Sequence, residues 1–423
     1  MSKPAAHRPP FRRLAAIAAA ALALGAPAAV EAAAGSGAPG PCGSATAATY
    51  LDTALAVARQ INYGESASAE VTRAVTSIES DQLLANAVAA GDLPAIDSEV
   101  HALVFNHEHI VRLRVLRDGK VLDDLGGPLV LAPVSGPLTL DGRVVGAFVM
   151  SVQDDSGYEK LLERLVGADA VMRYQGTTVV SDIDVAGLPR SGATVLVAGT
   201  SYLVASFDVS RFPGGELSVS LLLAQPPAAL ARQSCAEVSA GVLVGVAQRV
   251  YGEASTSPWW VGTPLAARAR TTTLAAALAA GDQRGVAQTV TELVAGGGFE
   301  ALDVIAGGRV IAGAGNLAAS IAPVSRPLVD GSGRLVGQAV FAVETAQGYA
   351  GLVHAFTGAA VLVRAGTRQL AGTFAGPADL PANGPVGYLG VRYAVASFPA
   401  VEFPDVAARV YVLALDGRSS AGH

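Results

Sequence analysis

Residues 131–138 read LAPVSGPL, and residues 321–328 read IAPVSRPL. The match continues downstream, with GRVVG at 142–146 against GRLVG at 333–337 and VASF at both 204–207 and 395–398. The spacing between partners stays at about 190 residues, as expected for duplication of a whole module. The sequence therefore predicts two tandem copies of one module.

The repeat sets the predicted domain boundaries. The two copies span residues 44–229 and 236–417, and a chain of 423 residues is long enough for each copy to have its own core. The segment 225–234 carries two adjacent prolines, and we place the linker at 230–235. A flexible leader rich in Gly, Pro and Ser (35–43) precedes the first copy, and a tail (418–423) follows the second.

The N-terminus has the pattern of a bacterial-type secretory signal peptide, residues 1–34. Basic residues precede an apolar stretch at 14–24, and small residues at 32–34 offer a cleavage site. The alternative is an uncleaved signal anchor, since residues 14–30 nearly reach bilayer length. We expect a secreted or cell-surface protein with no membrane span once the signal is removed.

The charge of the chain excludes one class of partner. The formal net charge is −6, and removal of the basic N-terminus makes the mature protein more acidic. Because nucleic-acid binding requires a basic surface that attracts phosphates, no nucleic-acid partner is expected.

Within each copy, helical patterns come first and strand patterns follow. Leu51, Leu55, Ala58 and Ile61 share one face of a helix, and Gly91 is a helix stop after which Asp92 caps the next helix. Stretches rich in β-branched residues, separated by Asp-Gly or Gly-Gly turns, occupy 110–116, 143–152, 194–197 and 216–223, with a short helix at 156–166. This order predicts an α+β fold with leading helices and a mostly antiparallel sheet in each copy.

The order of these segments resembles a single-Cache domain, a PAS-like extracytoplasmic sensor module. The resemblance rests on RDGKVL (117–122), APVSGPL, GRVVGAFVMSV, a Tyr-containing helix and GADAVMRY (167–174), and it covers most of each copy. It implies that a small molecule, an organic acid or an amino acid, binds in a cleft on one side of the sheet. Copy two is more degenerate, with AGG at 306–308 against RDG at 117–119, so ligand binding is expected mainly in copy one. Each copy has its own leading helix, whereas one leading helix serves both lobes of a double-Cache receptor.

Arg112 and Arg114 are the leading ligand-binding candidates. They alternate with apolar residues on a predicted strand, so both guanidinium groups project from one face, where planar forks suit a carboxylate. The alternative is a solvated sheet face. Copy two has Ala301 and Asp303 at the corresponding positions, which argues against a shared anionic ligand.

Ser135 and Tyr158 recur in copy two as Ser325 and Tyr349. They are candidates either for a common pocket wall or for a common structural hydrogen bond.

The sequence favours a protein that is not an enzyme, with no catalytic residue, metal or cofactor. The His107-Glu108-His109 stretch is predicted to be a loop without further ligands nearby, and histidines are too scarce for a hydrolase base. The glycine-containing string 313–318 lacks the strand-turn-helix setting of a dinucleotide site.

Cys42 and Cys235 precede the first helix of each copy. In an oxidising compartment they either form one disulfide between the copies or remain two separate thiols.

Two functions remain open at this level. The leading one is a secreted or cell-surface sensor-like binding protein. Because no output region follows Asp416, its partner would be a membrane receptor or another envelope protein. The alternative is a non-catalytic structural or protein-interaction module of the envelope, with clefts filled by the protein's own side chains.

Overall fold

The computed structural model describes residues 40–106, 110–256 (except 182, 184, 186 and 190), 265–296 and 299–416. The predicted signal peptide, most of the leader, the loop 107–109 and the C-terminal tail lie outside the described residues.

Four helices open copy one: α1 (Thr46–Ser66), α2 (Ala69–Glu79), α3 (Gln82–Ala90) and α4 (Leu93–Asn106). The predicted stop at Gly91 is confirmed, because this residue ends α3 in the left-handed region at φ 72°. Asp92 then accepts the backbone N–H of Ala95 at 3.2 Å in the first turn of α4. Local signals therefore determine the break between these two helices.

The first sheet of copy one, here the N-sheet, is antiparallel in the order β2-β1-β5-β4. Its strands are β1 (Arg112–Arg117), β2 (Lys120–Gly126), β4 (Val134–Leu140) and β5 (Arg143–Ser151), and a small ladder joins β3 (Val130–Leu131) to β6 (Gln153–Asp154). The predicted Asp-Gly turns are confirmed at Asp118-Gly119 and Asp141-Gly142, where all four residues have positive φ.

A second sheet of copy one, the C-sheet, follows helix α5 (Asp155–Leu161) and a π-helical turn (Leu162–Val166). Its order is β8-β7-β11-β10-β9. The strands are β7 (Asp169–Tyr174), β8 (Thr177–Ser181), β9 (Thr194–Val197), β10 (Thr200–Ser210) and β11 (Glu216–Ala224). The α+β prediction is correct, but each copy has two antiparallel sheets and not one, because the helix interrupts the run of strands.

Copy two repeats this plan after a 3-10 helix (Ala228–Arg232) in the connection. Its helices are α6 (Cys235–Thr256), α7 (Leu265–Ala279), α8 (Gln283–Ala295) and α9 (Ala346–Thr357). Its N-sheet consists of β12 (Ala301–Ala306), β13 (Arg309–Gly315), β15 (Val324–Val329) and β16 (Leu335–Ala342), in the order β13-β12-β16-β15.

The C-sheet of copy two also includes two short strands, β14 (Ser320–Ile321) and β17 (Glu344–Thr345). Its longer strands are β18 (Ala360–Ala365), β19 (Arg368–Gly372), β20 (Gly384–Tyr388), β21 (Val391–Glu402) and β22 (Val406–Leu415).

Each N-sheet buries one face against helices of its own copy. In copy one this core includes Val88, Val100, Leu113, Val115 and Phe148. In copy two the matching core includes Leu274, Val290, Leu302, Val304 and Phe341. We call this side of each N-sheet the helix face and the other side the far face.

The two C-sheets and the long helices α1 and α6 share one core that runs through both copies. Polar contacts also cross between the copies: the hydroxyls of Thr53 and Ser239 lie 3.0 Å apart, and Arg164 pairs with Glu253. The tandem copies thus pack as a fused pair, with each N-sheet retaining a separate core.

Candidate functional site

The far face of the copy-one N-sheet carries the predicted arginine pair. Leu113 and Val115 are fully buried on the helix face, while Arg112 and Arg114 point to the far face and are partly exposed. The predicted alternation along this strand is therefore confirmed.

Both guanidinium groups hold the carboxylate of Asp124, on the neighbouring strand β2. Arg112 donates from Nε to Oδ1 at 2.8 Å and from Nη2 to Oδ2 at 2.9 Å, and Arg114 donates from Nε to Oδ2 at 3.0 Å. Arg112 also donates from Nη1 to the carbonyl of Gly127 at 2.7 Å. Two cations thus share one internal anion.

The charge balance of this cluster is positive. Partial burial of Asp124 raises the pKa of its carboxyl, but the hydrogen bonds from Arg112 and Arg114 outweigh that effect and hold the pKa below its ordinary value. With Asp124 ionised, the three side chains carry a net charge of one positive unit.

An aromatic ring from the C-sheet supports the cluster. Phe212, in the β10–β11 hairpin, is fully buried, and its ring centre lies 4.9 Å from the Arg112 guanidinium carbon and 5.5 Å from that of Arg114. The Phe212 N–H donates to the carbonyl of Val130 at 2.8 Å, which fixes the hairpin against β3. Cation–π contacts of this kind hold arginine side chains in place.

Ser135 lies on the same far face. It is exposed on β4 and faces Val149 across the ladder, and Val149 in turn faces Arg114. Residues directly opposite in antiparallel strands share a face, so Ser135 and the arginine pair belong to one surface.

Tyr158 lies elsewhere. Its side chain is fully buried in the shared core, and its hydroxyl donates to the backbone carbonyl of Ala58 in α1 at 2.8 Å. Tyr349 repeats this contact in copy two, donating to Ala247 in α6 at 2.7 Å. Burial raises the pKa of both tyrosines, so they remain neutral donors. The recurrence noted in the sequence corresponds here to a structural hydrogen bond between a short helix and a long helix.

The equivalent surface of copy two has different chemistry. Asp303 on β12 faces Gly313 on β13 and Val340 on β16, and Val340 in turn faces Ser325. Beside this row lies a shallow depression of 410 Å³, lined by Ile305, Ser325, Pro327, Leu335 and Gln338 together with residues of the β12–β13 turn.

Three features of these surfaces were not predicted from the sequence. Asp124 as the arginine partner and Phe212 as their support depend on strand register and on hairpin docking. The isolation of Asp303 depends on its opposite residue being glycine. The one sequence signal for a difference between the two surfaces was the presence of Arg114 and Asp303 at equivalent positions.

Cys42 and Cys235 form a disulfide with their Cα atoms 4.7 Å apart. Next to it, the N–H of Cys42 donates to the carbonyl of Gln233 at 2.7 Å. Of the two alternatives left by the sequence, the bridge between the copies is the one in the structure, and it joins equivalent positions of the repeat.

No group of three or more His, Cys, Asp or Glu side chains in the described part of the chain is arranged to hold a metal ion. Among the described helices, none is both long and apolar enough to cross a bilayer.

The fold defines a two-copy α+β protein with paired antiparallel sheets. No family model matches the chain, and no curated protein matches its sequence. Among solved structures it is similar to the periplasmic domain of LuxQ from Vibrio cholerae, with 11% sequence identity and a TM-score of 0.26. The alignment covers 43% of this chain and 98% of the LuxQ domain. A similarity at this level identifies neither a family nor a ligand.

Proposed function

We propose that this protein is an extracytoplasmic, sensor-like binding protein, and that the far face of its copy-one N-sheet binds a small carboxylate, an organic acid or an amino acid. The observation that carries the proposal is the cluster of Arg112, Arg114 and Asp124. Two guanidinium groups already surround one carboxylate there, and their net positive charge favours a second anion.

The sequence order that resembles a Cache module agrees with this role, as does the exposure of Ser135 on the same face. Ser135 would offer a hydroxyl to a ligand held by the arginines. We propose binding and not catalysis, without a cofactor, and a membrane receptor or envelope protein as the partner that transmits the signal.

The extracytoplasmic location rests on two features. The N-terminal 34 residues have the pattern of a signal peptide, and the Cys42–Cys235 disulfide is of a kind that persists in oxidising compartments.

A second candidate function is a structural or interaction module whose clefts are filled by its own side chains. The observation that favours it is that Asp124 and Phe212 already satisfy both arginines. A ligand would have to join or displace Asp124, whereas an interaction module needs no such exchange.

A thermal-shift screen of the mature protein against succinate, pyruvate and glutamate separates the two functions. A ligand that binds only the folded state raises the melting temperature. We expect a shift in the wild type that is lost in Arg112→Ala/Arg114→Ala and kept in Arg143→Ala, which removes an exposed arginine of the same sheet. Asp124→Asn should bind the carboxylate at least as tightly, since the internal anion is gone. No shift in a protein that melts cooperatively would support the interaction module instead.

A further inference from the structure

Asp303 is a buried carboxyl group that the fold does not use. The residue is 5% exposed, and its Oδ1 has no hydrogen-bond partner among the described residues. Burial raises the pKa of this carboxyl group. Buried polar atoms are nearly always satisfied, so an isolated carboxyl group of this kind requires an explanation.

Comparison of the two copies shows what is missing around Asp303. Asp303 occupies the position of Arg114, and Gly313 occupies the position of Asp124, the arginine partner in copy one. Copy two therefore lacks both members of that ion pair and has a single buried carboxyl group where copy one has a positively charged cluster.

Glycine at position 313 leaves room for the carboxylate of Asp303. A Cβ atom at Gly313 would lie 2.2 Å from Oδ1 of Asp303, so no larger residue fits there without displacing the carboxylate. Gly313 is itself exposed and adds no side chain above Asp303, and the nearest other side chain to this position is that of Leu317, with its Cδ1 3.6 Å away.

The surroundings of Asp303 are apolar on one side and concave on the other. Ala301, Val340 and Phe403 pack together on this face. Ile305 follows Asp303 by two residues on the same face and lines the 410 Å³ depression, together with Ser325 and Gln338. Sites for small ligands have this make-up, a mostly apolar wall with a few polar groups, and this volume falls within their usual range.

We propose that the far face of the copy-two N-sheet is a second binding site, which takes a small organic amine with its ammonium group on Asp303 and its carbon chain in the adjoining depression. A single carboxylate between apolar walls suits an ammonium group with a carbon chain, whereas Ca²⁺ takes six to eight oxygen ligands and a hydrated Mg²⁺ ion would gain nothing from the apolar walls. This site lies in copy two and is acidic, whereas the proposed carboxylate site lies in copy one and is basic. Each site can therefore exist without the other.

Calorimetric titration of the mature protein with butylamine and putrescine at pH 7.5 tests the proposal, with butyrate as the matched anion. We expect both amines to bind the wild type and butyrate not to bind at this site. Asp303→Asn, which keeps the size of the side chain, should weaken amine binding at least tenfold. Asp379→Asn makes the same charge change at an exposed loop position and should leave the affinity within twofold.

A double variant tests whether a loss of amine binding could result from misfolding. Asp303→Arg/Gly313→Asp recreates the copy-one ion pair, so it should fold with an unchanged circular dichroism spectrum and lose amine binding. Failure of the folded wild type to bind either amine at millimolar concentration would overturn the proposal, as would equal affinity in Asp303→Asn. Neither result would affect carboxylate binding in copy one, which the Arg112→Ala/Arg114→Ala variant tests separately.

Discussion

Replacement of Glu344 by glutamine should remove a large part of the pH dependence of folding stability between pH 4.5 and pH 8. Glu344 lies on β17 at the start of α9 and is 5% exposed. Burial raises the pKa of its carboxyl from 4.5 to about 8, although the N–H of Thr345 donates to Oε1 at 3.0 Å, and the negative charge of Glu300 adds to the rise.

The direction of the effect follows from proton binding. Because the folded state holds the proton to a higher pH than the unfolded chain, stability is fully present below pH 4.5 and falls as the pH rises towards 8. At 1.36 kcal/mol for each unit of pKa, the difference between 4.5 and about 8 corresponds to roughly 5 kcal/mol. Glu344→Gln, which cannot ionise, should therefore resemble the wild type at pH 4.5 and exceed its stability by several kcal/mol above pH 8.

The repeat supplies a matched control. The position equivalent to Glu344 in copy one is Gln153, which is buried to a similar extent at 6% exposure. The reverse change, Gln153→Glu, should introduce the same loss of stability with rising pH into copy one.

Urea unfolding followed by far-ultraviolet circular dichroism at pH 4.5, 6 and 8.5 measures these differences. Parallel stability curves for wild type and Glu344→Gln across this range would refute the reasoning, because they would show that Glu344 has the same pKa in the folded and unfolded states.

Two further predictions concern stability. Cys42→Ser/Cys235→Ser should lower the free energy of unfolding by about 3 to 5 kcal/mol, because the bridge closes a loop with a sequence separation of 193 residues. Urea unfolding with and without reductant measures this difference. A wild-type protein whose stability does not change on addition of reductant would contradict the prediction. Leu389→Asn should raise stability by about 1 kcal/mol, since Leu389 is 84% exposed and has φ 50°, a region that asparagine tolerates better than leucine. A lower melting temperature in Leu389→Asn would contradict that expectation.

Local signals predicted much of the fold. The helix stop at Gly91, the cap at Asp92 and the turn at Asp118-Gly119 depend on residues within a few positions of each other, and all three are confirmed. The alternation of Arg112 and Arg114 with buried neighbours is also a local property, since a strand has a period of two. The division of each copy into two sheets was missed, because strand composition does not show which strands pair.

The residue that pairs with Arg112 and Arg114 could not be predicted from the sequence. If β1 and β2 paired regularly from the Asp118-Gly119 turn onward, Asp123 would lie opposite Arg114. A register shift between Val115 and Leu116 moves the pairing by one residue, so that Asp124 reaches the far face. A shift of one residue exchanges the two faces of a strand, and here it puts Asp124 opposite Arg114 in the place of Asp123.

The duplication, the α+β class and the positions of the local turns could be predicted from the sequence, because these depend on residue order and on contacts between near neighbours. Three features became visible only in the folded structure: the C-sheets of both copies share one core, Phe212 supports the arginine cluster, and Asp303 lies buried beneath Gly313. These features depend on strand register and on packing between segments far apart in the chain, which no local pattern specifies.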